Sequence, residues 1–209
     1  MGARNGKMNL AAYYNPTGHH VASWRHPRAV KDAHINIKHY VEIAQTAERA
    51  KFDLLFLADG NAVRKAHIDA ISRSTQFVAH FEPLTLLSAL AMVTEHIGLV
   101  GTASSSWNAP YHIARKFASL DHISGGRAAW NVVTSGNDAE SQNFGVDHAY
   151  AHADRYDRAH EVVDIVKGLW DSFDDDAFVR DTESGLFFEP DAMHELNHKS
   201  ERYSVKGPL

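Results

Sequence analysis

Residues 97–135 read IGLVGTASSSWNAPYHIARKFASLDHISGGRAAWNVVTS, and this stretch decides the fold. An apolar run of strand type, Ile97 to Val100, passes into a small polar loop, Thr102 to Asn108. A helix is expected from Pro110 to about Ile123, because Ile113, Phe117, Leu120 and Ile123 recur at the 3–4 spacing of one buried face. Pro110 sits in the first turn, where a helix tolerates proline, and Gly125-Gly126 sits where helices stop. Arg127 to Thr134 is again strand-like. A strand, a helix and a second strand in this order form one crossover, which implies a parallel sheet with its site at the carboxyl ends of the strands.

The flanks extend the pattern. Met8 to Tyr13 is a short strand candidate, followed by a polar loop, NPTGHHVASWRHP, that is too long for a simple turn. Ile37, Tyr40, Val41, Ala44 and Ala47 share one face of a helix over Asn36–Ala50. Phe52 to Ala58 is a continuous apolar strand of the kind buried on both faces, with Asp59 at its carboxyl end. Residues 61–82 are irregular, and Pro83 opens a helix through LTLLSALAMVTEH. Residues 135–153 form a loop rich in Gly, Asn and Asp. Asp154 is placed to cap a helix whose stripe is Ala159, Val162, Val163, Val166, Leu169 and Trp170. Beyond Ser172 regular structure fades, with a hairpin suggested around 186–188 and 203–205. Four strands, each followed by a helix, make a small doubly wound sheet or half of an eight-fold barrel, and composition does not choose between them.

The 209 residues, 44% of them apolar and 22% charged, suffice for one sizeable domain spanning 1–209. A net charge of −5 provides no basic footprint for nucleic acid. With no cysteine there is neither a disulfide nor a thiolate metal site. No apolar run approaches the roughly 20 residues of a membrane helix, and MGARNGKMNL lacks a signal-peptide core, so a cytoplasmic protein is expected.

His194-Glu195-Leu196-Asn197-His198 fits the H-E-x-x-H zinc pattern, but it lacks an amphipathic helix around it and a ligand downstream, so no metal is expected there. His19, His20, His148 and His152 are weighed as a converging metal set and set aside, because no carboxylates stand at ligand spacing. Ser104-Ser105-Ser106 is read as a polar loop after a strand. The residues that stand out are polar groups at strand ends, Asp59, Thr102, Asn131 and Ser135, which such a fold directs into one crevice. His152 and Tyr156 join them, because i, i+4 spacing puts both on one side of a helix start, where an electron-rich group is favoured.

Longer blocks carry a resemblance: WRHP at 24–27, FDLLFLAD at 52–59, EPLTLLSALA at 82–91 and IGLVGTASSS at 97–106. YHIARKFASLDHISGGRAAWNVVTS at 111–135, NFG at 143–145 and HADRYDRAHEVVDIVKGLW at 152–170 complete the set. Together they resemble the nitrilotriacetate monooxygenase component A group of the bacterial-luciferase-like flavin monooxygenases, near which sulfone and long-chain alkane monooxygenases stand. The resemblance implies a (β/α)8 TIM barrel of which this chain holds about the first four β/α units, incomplete at its carboxyl end. It implies reduced FMN from a separate NAD(P)H-dependent flavin reductase, O2, and oxygenation of a small organic substrate. Asp59, Thr102, Asn131, Ser135, His152 and Tyr156 would contact the flavin, with His152 and Asn131 the catalytic pair. Asp59 would accept from a ring N–H or the ribityl chain, Thr102 and Asn131 would donate to ring oxygens, and His152 and Tyr156 would hold the ribityl–phosphate side or stabilise the peroxide. The helices over 84–95 and 111–123 resemble those that pair subunits, so a dimer is expected. A chain that is only half a barrel is expected to self-associate or to be inactive alone. The competing readings are a non-catalytic flavin-binding or scaffold fragment and a metal-dependent hydrolase.

Overall fold

The computed structural model describes residues 8–63, 66–75 and 78–209. The first seven residues, part of the segment read above as lacking a signal core, lie outside the described residues, as do 64–65 and 76–77 within the stretch expected to be irregular.

Strand β1 (Ala11–Tyr13) leads through a long loop to α1 (Ile37–Arg49). Asn36 caps α1, its side chain accepting from the backbone N–H groups of Lys38 and His39. Strand β2 (Leu54–Leu57) follows, then a short α2 (Ile68–Ile71) inside the stretch expected to be irregular. The helix opened by Pro83 is α3 (Pro83–Ala91), shorter than expected, and Glu82 caps it. Strand β3 (Gly98–Ser104), α4 (Pro110–Ser124) and β4 (Ala128–Val133) form the crossover that the central stretch promised. Gly125 ends α4 at φ 67°, a left-handed turn that glycine takes without strain. A helix not anticipated in the sequence, α5 (Asp138–Asn143), precedes α6 (His152–Trp170). An antiparallel hairpin of β5 (His198–Lys199) and β6 (Ser204–Val205) closes the order.

The main sheet has the order β1-β2-β3-β4, every neighbouring pair parallel. A doubly wound sheet reverses its strand order at a switch point, whereas consecutive strands side by side are the arrangement of a (β/α)8 barrel. The topology therefore decides what composition left open: the sheet is an arc of a barrel.

Register fixes the two faces. Ala12, Leu55, Leu99 and Ala128 lie in one row, and Leu57, Gly101 and Trp130 in the next row on the same side. This side meets the helices. Leu55, Leu57 and Leu99 bury against Leu87 and Leu90 of α3, Ile113 and Phe117 of α4, and Val162, Val166 and Leu169 of α6. The opposite, concave side carries Tyr13, Phe56, Val100, then Thr102 paired with Asn131, and Ser104 paired with Val133. Leu54 and Phe56 are only half-buried, so the expectation that β2 is covered on both faces is not met. Ile123 is also 48% exposed, at the end of α4 rather than on its buried face.

Candidate active site

Strand β3 runs further than its apolar residues suggest. Thr102 and Ser104, read above as loop, lie within the strand and are buried, while Ser105 just beyond it donates its hydroxyl to Val133 O (3.0 Å). The polar residues interrupt the apolar run because they face the concave side at the carboxyl end of the strand. There they line a cavity of about 500 Å³ with Asp59, Glu82, Ser135 and Glu140.

Each wall is positioned by the chain next to it. Asp59 follows β2, and burial pushes its carboxyl up to about 6, a backbone hydrogen bond from Gly60 opposing and the charges of Glu82 and Glu140 adding to the rise. Glu82 is held at the start of α3, where its oxygens accept from Leu84 N (3.0 Å), Thr85 N (2.8 Å) and Thr85 Oγ1 (2.7 Å). Thr102 donates its hydroxyl proton to Leu57 O (2.8 Å) and accepts from Asn131 Nδ2 (2.9 Å). Its one proton is thus committed, which corrects the expectation that Thr102 donates to a ligand. Asn131 keeps a second amide proton.

Beyond β4, Ser135 donates to Glu140 Oε2 (2.5 Å) and lies 2.8 Å from Ser104 Oγ. Glu140 belongs to α5, which Asn137 caps by accepting from Glu140 N (2.9 Å) and donating to Glu140 Oε1 (2.5 Å). A Cβ on Gly136 would meet the Arg155 guanidinium, so a larger residue there must displace the end of that side chain.

The structure therefore brings Asp59, Thr102 and Ser135 onto one cavity, with Asn131 one hydrogen bond behind Thr102. His152 and Tyr156 are not part of its lining. Their spacing does set the two rings together, centroids 4.7 Å apart, but both are exposed at the start of α6. The cap of that helix is Ala151, so His152 is its first residue. Asp154, expected as the cap, instead lies in the first turn and pairs with Arg202 (2.9 Å).

The residues missed in the sequence are Glu82, Glu140 and Asn61. For Glu140 a signal existed, since Asn137-x-x-Glu140 is a variant of the capping box. The H-E-x-x-H pentapeptide adopts no helix: His194 meets Asp174 (3.0 Å), while His198 meets Glu161 (2.9 Å). The other histidines weighed for metal have separate partners as well, His148 beside Asp138 (3.3 Å) and His20 accepting from Ala22 N (3.1 Å).

A barrel arc with a polar cavity at the carboxyl ends of its strands defines a class of enzymes that do their chemistry on a common frame. Within that class the chain belongs to the luciferase-like monooxygenase family, whose model matches residues 17–204. It is 52% identical over 210 residues to N-acetyl-S-(2-succino)cysteine monooxygenase of Bacillus subtilis, covering 100% of this chain and 46% of the relative. It is 48% identical over 215 residues to nitrilotriacetate monooxygenase component A of Aminobacter aminovorans, covering 100% and 47%. Among solved structures, a long-chain alkane monooxygenase superimposes with a TM-score of 0.90 at 36% identity, over 98% of this chain and 49% of that one. A riboflavin lyase holding a modified FMN and riboflavin superimposes at 0.87 with 33% identity, over 96% and 46%. The chain spans about half the length of the relatives it matches.

Proposed function

We propose that this chain carries flavin-holding residues of an FMN-dependent monooxygenase that oxygenates a small organic substrate, nitrilotriacetate-, sulfone- or alkane-like, with a separate NAD(P)H-dependent reductase supplying the reduced flavin. The observation that carries this reading is the cavity at the ends of β2, β3 and β4, with Asp59 and Ser135 on its wall, in a chain of this family. When bound, reduced FMN supplies the electrons with which O2 is activated.

The donor set fits the uncharged part of such a group. Asp59 accepts from an N–H or hydroxyl, and the free amide proton of Asn131 donates to a ring oxygen. Among the described residues of this lining Lys116 is the one cation against Asp59, Glu82 and Glu140, a balance that suits a phosphate poorly. In this reading the pair His152 and Tyr156, at the amino end of α6, serves the ribityl–phosphate side, and His152 and Asn131 remain the catalytic candidates. A dimer through α3 and α4 belongs to the same proposal, supported by the exposed apolar surface of Met92, Tyr111 and Ile123.

The test is a titration of the purified chain with oxidised and dithionite-reduced FMN, followed by flavin fluorescence for the oxidised form and protein fluorescence for both. Saturable binding that weakens about 10-fold on Asp59→Ala is expected, the loss of one hydrogen bond to a charged group. No binding by a chain with folded far-UV dichroism would overturn the reading.

A further inference from the structure

Glu140 is 8% exposed, and among the described residues its carboxylate is met by neutral donors and by no cation. Burying a carboxylate in this way is costly, and a helix cap does not require it, because glutamine serves a capping box equally well. Only one of its oxygens is engaged at the cap, Oε1 with Asn137 Nδ2. The other, Oε2, points to the cavity wall and takes the Ser135 hydroxyl (2.5 Å) and, at 3.5 Å, the Asn61 amide from the loop after β2. Asn143 Nδ2 also donates to Asn61 O (2.7 Å), so α5 grips that loop twice.

A serine hydroxyl has a single proton. The Ser135 hydroxyl is within donating reach of both Ser104 Oγ (2.8 Å) and Glu140 Oε2 (2.5 Å), and the shorter, charge-assisted bond takes the proton, leaving Ser135 with lone pairs for its other neighbours. We propose that Glu140 is a positioning residue: it holds the Ser135 hydroxyl as an acceptor, so that the wall formed by Asp59 and Ser135 receives the N–H- or O–H-bearing, uncharged part of a ligand. This rests on the flavin reading for the identity of the ligand, whose ring N–H and ribityl hydroxyls have that chemistry, but not for the orientation of Ser135.

Two measurements separate the claims. The first needs no ligand: the Ser135 hydroxyl proton is followed by NMR. A proton shared with a buried carboxylate is expected downfield and slow to exchange, moving upfield in Glu140→Gln, where the acceptor is neutral. The second is FMN affinity by fluorescence quenching in Glu140→Gln, Ser135→Ala and the double variant. Each single change is expected to weaken binding about 10-fold, and the double change no more than the weaker single, because both break one unit. Glutamine retains the cap, so Glu140→Gln should melt within a few degrees of the parent chain.

Wild-type affinity in Glu140→Gln, additive losses in the double variant, or no slow hydroxyl proton in the parent chain would each overturn the proposal. If the slow proton is present and responds to Glu140→Gln while the parent chain binds no FMN, the flavin reading falls and the assignment of Glu140 to Ser135 stands.

Discussion

The two ends of the parallel sheet use charge in opposite ways. At the amino end, Arg127 spends its five donors on the protein: Nε on Ser124 O (2.7 Å), Nη1 on Thr94 Oγ1 (3.0 Å) and Ile97 O (2.9 Å), and Nη2 on Ala91 O (3.0 Å) and Thr94 O (3.0 Å). Glu48 does the converse with a carboxylate, accepting from the backbone N–H groups of Glu95, His96 and Ile97. Burial works against it, yet those three bonds and the charge of His96 hold its carboxyl below the usual range. Both residues close the turn between α3 and β3. At the carboxyl end the carboxyls of Asp59, Glu82 and Glu140 gather around a cavity, and the one belonging to Asp59 is destabilised as an anion. Arg127 and Glu48 thus complete the backbone at one end; at the other Glu82 does the same for α3, while Asp59 keeps a carboxyl whose charge the fold disfavours. In barrel enzymes the amino ends of the strands are the stability face and the carboxyl ends the catalytic face.

The largest effect should come from breaking the closed end. Arg127→Met leaves the carbonyls of Ala91, Thr94 and Ile97 without their donor and is expected to cost about 3–4 kcal/mol of stability by urea denaturation. Flavin affinity, measured well below the transition, should be unchanged. A loss under 1 kcal/mol would mean that water replaces the guanidinium at no penalty, and the contrast between the ends would fail.

Asp59→Asn probes the open end, with the opposite sign for stability. Its folded value of about 6 lies above the ordinary 3.8, so the ionised form is the one the fold disfavours. The native state therefore binds the proton more tightly than the unfolded chain does. The penalty is absent below about pH 4, grows between pH 4 and 6, and is full above pH 6. Asparagine removes it. The variant should be more stable than the parent at pH 7.5, by about 1 kcal/mol once the shift is discounted for the solvent that reaches a partly open cavity, and equal to it near pH 3.5. It should also bind FMN more weakly. Higher stability together with lower affinity is what a group kept for function predicts, and a variant less stable at every pH would make Asp59 a structural residue.

How much of this was legible in the sequence follows the same division. The crossover from β3 through α4 to β4 could be read because Pro110 and Gly125 punctuate it and because Ile113, Phe117 and Leu120 bury at helical spacing. The end of β3 could not, since Thr102 and Ser104 face the cavity and broke the apolar run that marked the strand. Helix α5 was hidden for a related reason. Its six residues, DAESQN, have no apolar face, and the helix rests on its Asn137 cap and on the partners of Glu140. Asp59 was found from its place at a strand end. Glu140 was marked only as part of a helix start by Asn137-x-x-Glu140, and nothing local shows that its second oxygen meets Asn61, 79 residues away.

The smallest stability effect, and the sharpest question about the open end, belongs to His152 and Tyr156. Their rings touch each other but are exposed, outside the cavity lining and beyond the groups that close the fold. Nothing in their burial gives them a structural task, so His152→Ala should change stability by no more than about 0.5 kcal/mol. If the amino end of α6 serves the ribityl–phosphate side of the flavin, the same change should weaken FMN binding about 5-fold while leaving affinity for riboflavin, which lacks the phosphate, unchanged. Equal losses for both ligands would move His152 to the ring side. Loss for neither would confine the binding surface of this chain to the wall of Asp59 and Ser135.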